Sequence, residues 1–186
     1  MWIIEKIDVS ALVRAHYATL VNEREGRVLR QDRLLFYAFP LISGTASAFL
    51  VDLNTPALQT TVTALSIFSG LLLNMLVVMF NMAKEPERYK YPRDQGRLVQ
   101  ESQANIAYCI IVGVGLIVLS VLLLVTDGSV GEEDNSVATG LYWLDVVLRA
   151  VLFTGLIHFV LSLVLVVKRV AELLRLHVQP PEPDGE

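Results

Sequence analysis

Three stretches of this chain, residues 34–51, 58–83 and 104–125, contain no Asp, Glu, Lys or Arg. A helix needs roughly 20 mostly apolar residues to cross a bilayer core of about 30 Å. Each stretch is near or above that length. A fourth, 141–167, is long enough but carries Asp145, Arg149 and His158. The pattern predicts an all-α membrane protein with four transmembrane helices arranged as two hairpins. The predicted spans are 34–51, 58–83, 104–125 and 141–167, forming one transmembrane domain over 34–167.

Composition closes the soluble alternative. The hydrophobic fraction is 54% and the charged fraction 18%, with mean hydropathy +0.54. Soluble domains carry about 25% charged residues. Burying four such stretches in a soluble core requires a larger polar shell than 186 residues supply. The single cysteine, Cys109, lies inside the third stretch, so neither an internal disulfide nor a cysteine metal motif is available. Residues 5–33 are charged throughout, so the amino terminus does not read as a cleaved leader.

Basic residues mark the cytoplasmic side of short loops. Fourteen of the fifteen Lys and Arg residues fall in the amino-terminal segment, the segment between the second and third spans, and the carboxy-terminal segment. The fifteenth is Arg149. The two other connections hold no basic residue, and the second carries Asp127, Glu132, Glu133 and Asp134. Both termini are therefore expected in the cytoplasm, with the chain in the plasma membrane, the inner membrane if bacterial.

Residues 1–33 are expected to form a cytoplasmic amphipathic helix. Leu12, Val13, Tyr17, Leu20 and Val21 recur at helical spacing, and Asp8 or Ser10 can cap its start. Such a helix lies on lipid, with Trp2, Ile3 and Ile4 dipping in, or packs on a neighbouring helix. The first span carries Pro40, with Gly44 and Ala48 and also Ser43 and Ser47 at i,i+4 spacing, which suits close helix approach. The short turn 52–57 implies that the first two spans form a hairpin, with Asn54 or Thr55 capping the second and Pro56 in its first turn. The tail 168–186 is expected in the cytoplasm, its Pro-rich end at 179–186 disordered. Tyr142 and Trp143 suit the interface at the outer end of the fourth span.

The most informative pattern is on the second span. Gln59, Thr63, Ser66, Gly70, Asn74 and Asn81 fall within an arc of roughly 80° at about 100° per residue. This stripe either lines a water-filled path in an oligomer or packs against another helix, where polar side chains bond across membranes at about 0.6–2 kcal/mol. A second stripe, Thr154, His158 and Ser162, runs along the fourth span. An ionisable residue near the midplane is a functional candidate, with gating, pH sensing or proton relay as its roles. Otherwise His158 is a neutral imidazole bonded to a neighbouring helix. Asp145 and Arg149, also i,i+4, are expected to pair.

Arg24, Arg27, Arg30 and Arg33, with Lys84, Arg88, Lys90, Arg93 and Arg97, form a basic collar. Contact with anionic lipid head groups is its commoner role, and a phosphate-bearing ligand such as a nucleotide is the other. Interleaved acids weaken a nucleic-acid role. Enzyme motifs such as HExxH, CxxC and GxSxG are absent, and His16 and His177 stand alone without metal-ligand spacing. No enzyme activity, cofactor or metal is expected.

The segment from Arg33 to Phe80, with FYAFPL opening the first span and SIFSGLLLNMLVVMF in the second, resembles small bacterial membrane proteins, among them membrane subunits of anti-phage defence systems. The resemblance lies in size, helix count and hydropathy over most of the chain and assigns no individual residue. It implies a homo-oligomeric, channel-like effector controlled by a cytoplasmic protein partner or nucleotide signal. The competing readings are a non-conducting scaffold that recruits a soluble partner through residues 1–33 and 84–103, and a small-solute or proton transporter using His158.

Overall fold

The computed structural model describes residues 9–18, 34–51, 53–84, 92–127 and 135–178, and all its regular structure is helical. Helix α1 is Val9–Ala18; α2 is Phe39–Leu50, preceded by a π-helical turn, Leu34–Ala38; α3 is Thr55–Lys84; α4 is Pro92–Asp127; α5 is Asn135–Val178. The helices outrun the apolar stretches because a helix continues into water as long as its turns are polar and unbroken, whereas hydropathy marks only the apolar part. Residues 92–103, expected in a loop, are the first turns of α4, opened by Pro92 where a missing N–H costs nothing. Residues 135–140 and 168–178 likewise belong to α5.

Three helices are long and apolar enough to cross a membrane, over Thr55–Lys84, Gln95–Thr126 and Tyr142–Arg175. The helical segment Leu34–Leu50 is shorter. At 1.5 Å per residue it reaches about 25 Å.

A seven-residue repeat organises the packing. Its buried rows are Leu58, Leu65, Leu72 and Met79 on α3, and Leu152, Phe159, Val166 and Leu173 on α5. Helix α4 carries two such rows, Val99, Ile106 and Ser120 beside Ser102, Cys109, Leu116 and Leu123. A 3.5-residue spacing keeps one seam facing a partner along its length and gives left-handed crossing. With two seams, α4 sits between α3 and α5 and packs on both. At the three-helix crossing, a Cβ on Gly113 would lie 3.0 Å from the Ser69 hydroxyl and 3.3 Å from the Phe159 ring. A side chain there would push the helices apart.

Helix α2 corrects the expected hairpin. It packs along α5 and not along α3, although a short turn joins it to α3. Its small-residue face decides this. Pro40, Gly44 and Ala48 are buried, and a Cβ on Gly44 would overlap the backbone of Thr154. Only glycine lets α2 approach α5 this closely. The turn itself follows the sequence: Asn54 caps α3, its Oδ1 accepting from Ala57 N at 3.0 Å, and Pro56 occupies the first turn.

Helix α1 packs on α4. Ser10 lies inside the helix, where its carbonyl and hydroxyl accept from Arg14. Asp8, Leu20, Val21 and Trp2 to Ile4 lie outside the described residues.

Candidate functional site

The two polar stripes have opposite fates. On α3, Gln59, Thr63, Ser66, Gly70, Asn74 and Asn81 are all exposed. The seam against α4 lies on the far side of the same helix, so the stripe faces out of the protomer. Its hydroxyls are satisfied locally: Thr63 donates to Gln59 O at 2.9 Å and Ser66 to Val62 O at 2.7 Å. The amides of Asn74 and Asn81 have no such partner, and within the protomer they bond to none of the described residues. Pro56, Gln59, Thr60, Thr63, Ala64 and Ile67 line an open groove of about 440 Å³ at the Thr55 end of the stripe.

On α5 the second stripe turns inward. Thr154 lies under Gly44 of α2, and Ser162 is buried. His158 reaches two other helices. Its Nδ1 lies 3.2 Å from Phe36 O and its Nε2 2.8 Å from the Tyr108 hydroxyl. The carbonyl only accepts, so Nδ1–H donates to it and a neutral ring takes the phenol proton's hydrogen bond at Nε2. The sequence prepares this carbonyl. Pro40 stands four residues after Phe36 and has no N–H to offer it. The π-helical turn Leu34–Ala38 falls at the same place.

His16, expected to stand alone, completes the group. Its ring is fully buried and stacks on Tyr108, with centroids 3.9 Å apart and planes 6° from parallel. Its Nδ1 lies 2.7 Å from Asn105 Oδ1, and its ring centroid is 6.5 Å from that of His158. His16, Phe36, Asn105, Tyr108 and His158 thus join α1, the turn before α2, α4 and α5 in one polar cluster. Helix α3 takes no part. Burial holds the His16 pKa below its ordinary value; the Asn105 hydrogen bond opposes this, and nearby His158 adds to it.

A charged layer lies to one side of the cluster. Glu101, one turn before Asn105, bonds Arg169 Nη1 at 2.9 Å and stands 3.8 Å from Arg97 Nε. Toward the other end of α5, Asp145 and Arg149 lie 2.7 Å apart, and Tyr142 and Trp143 are exposed and in edge contact. Among the collar residues, Lys84 is exposed at the end of α3. Arg24, Arg27, Arg30, Arg33, Arg88 and Lys90, with the side chains of Arg93 and His177, lie outside the described residues. Among the described residues no group of three or more His, Cys, Asp or Glu side chains is placed to hold a metal.

No family model, curated protein or solved structure matches this chain.

Proposed function

We propose that this chain spans the membrane four times, with Leu34–Leu50 as the short span, and assembles into a homo-oligomer in which the α3 stripes surround a water-filled path. The observation that carries this reading is the outward exposure of Asn74 and Asn81. An amide without a partner in hydrocarbon costs several kcal/mol. The stripe therefore needs water or another copy against it along its length. One protomer leaves α3 at its edge, so enclosing a path takes several copies.

The depth of the spans supports a membrane crossing. Arg149 and Arg169 are separated by 20 residues of α5, about 30 Å, which matches a bilayer core. The charge distribution of the loops supports cytoplasmic termini, and with them a cytoplasmic position for the Glu101–Arg169 layer. Control then comes from that side, where the basic collar receives anionic lipid, a nucleotide or a soluble protein. The resemblance to anti-phage membrane subunits suits an effector role.

Assembly is tested by cross-linking. In a Cys109→Ala background, Ser66→Cys and Asn74→Cys are expected to form disulfide-linked dimers on oxidation in membranes. Leu65→Cys, on the seam with α4, stays monomeric. Absence of dimers at both stripe positions would remove the oligomer and the path with it.

A further inference from the structure

We propose that Lys84 biases passage along the α3 stripe toward small anions: repeated in every copy, it forms a ring of positive charge at the cytoplasmic mouth. The inference rests on the reading of the stripe as a water-filled path in an oligomer, and adds to it the class of ion that the path favours.

Lys84 is the only charged residue of α3. From Thr55 to Ala83 the helix holds no Asp, Glu, Lys or Arg, so the stripe itself brings hydroxyls and amides without charge. The amides of Gln59, Asn74 and Asn81 each offer donors and an acceptor, and the hydroxyls of Thr63 and Ser66 do both. Such a surface serves either sign of ion. The fixed charge that α3 presents lies at its end, and it is positive.

Helical position ties Lys84 to the stripe. It follows Ser66 by about five turns at 3.6 residues per turn, so the two lie in line along the axis. Leu71 and Val78, on the apolar flank, point about 120–140° away from it at about 100° per residue. Lys84 is exposed, as the stripe is. The direction of this last turn is set by α4, because Gln103 donates from Nε2 to Met79 O at 3.0 Å. Lys84 stands about one and a half turns beyond that bond, past the apolar part of α3.

Two plainer roles exist for a lysine at such a place. A helix carboxy terminus carries the equivalent of about half a negative charge, which a lysine in the last turn offsets. The full charge of the ammonium leaves a surplus. A lysine near a membrane boundary also extends toward lipid phosphate, a role that fits the flanks of α3 and not a face in line with Ser66. The connection that follows, residues 85–91, carries charges of both signs and lies outside the described residues. Those charges are common to the wild type and every variant below, so a difference among the Lys84 variants reports Lys84 alone. Rings of Lys or Arg favour anions in pores, as rings of Asp or Glu favour cations.

Reversal potentials of the full chain in planar bilayers test this, under a potassium chloride gradient of about 0.01 to 0.1 M, where a charge acts over about 10–30 Å. The wild type is compared with Lys84→Gln, Lys84→Glu and Lys168→Glu. The chloride-to-potassium permeability ratio is expected to fall about threefold or more from Lys to Gln, and again from Gln to Glu. Lys168 is exposed on α5, away from the stripe, and serves as the control for general surface charge. Its replacement is expected to leave the ratio near the wild-type value. Equal ratios in the wild type and both Lys84 variants would overturn the assignment while leaving the path in place. So would a shift in Lys168→Glu as large as that in Lys84→Glu. No discrete current in any of these chains would overturn the path itself, and the Lys84 ring with it.

Discussion

Asn74→Leu is expected to reduce conductance of the reconstituted protein by at least about tenfold while leaving the oligomer assembled. Asn74 stands in the middle of α3, exposed and without a hydrogen bond to any described residue. Leucine keeps about the same bulk and removes the amide. In a symmetric assembly the change repeats in every copy, turning one level of the path into an apolar ring that sheds water. Single-channel recording beside a mass measurement in detergent checks both halves. Leu71→Ala, on an exposed apolar face off the stripe, serves as the control and leaves conductance unchanged. If the protein were a scaffold, Asn74→Leu would instead cost only one interhelical contact, about 0.6–2 kcal/mol per copy, and would loosen the oligomer without touching any current.

Gly44→Val is expected to give the largest loss of stability. A Cβ at this position overlaps the Thr154 backbone, and backbone cannot swing aside as a side-chain tip can. Either α2 separates from α5 or both helices bend. Overpacking of this kind costs about 1–3 kcal/mol, with valine at the upper end. Separation also breaks the bond between His158 and Phe36 O, since the carbonyl belongs to the turn that leads into α2. The apparent unfolding temperature in detergent should fall by roughly 6–12 °C for a chain of this size. Gly115→Ala, with nothing within 4 Å of its added carbon, should leave it unchanged or slightly raised.

These expectations draw on features of differing visibility. The long apolar helices were legible because the absence of charge over some 20 residues has few physical explanations. The α3 stripe was legible for the same kind of reason: six small or polar residues on one arc of an otherwise apolar helix. Its direction was not, because a helical wheel says which residues share a face and not what that face meets. The sevenfold spacing of Leu58, Leu65, Leu72 and Met79 is the signal that settles it. That row names the packed side, and the stripe lies away from it.

The partner of α2 was misread for a different reason. A short turn forces two helices to be joined, not to lie in contact, and a Pro40–Gly44–Ala48 face fits any helix that can come close. The polar cluster was out of reach of local reading. His16 meets Asn105 across 89 positions, Tyr108 meets His158 across 50, and His158 meets Phe36 across 122. Only Pro40 left a local trace, in the carbonyl it leaves free four residues earlier.

The central claim is that the α3 stripe faces water inside an oligomer. It is tested most directly by placing single cysteines along α3 in a Cys109→Ala background and measuring their reaction with a charged, membrane-impermeant thiol reagent. The account predicts rapid labelling at 63, 66, 70 and 74, and at least tenfold slower labelling at 68, 71 and 78, which are also exposed on the protomer but face lipid. Equal, slow labelling at all seven positions would contradict it: the stripe would then be a dry contact between helices, and the protein would not be a pore lined by α3.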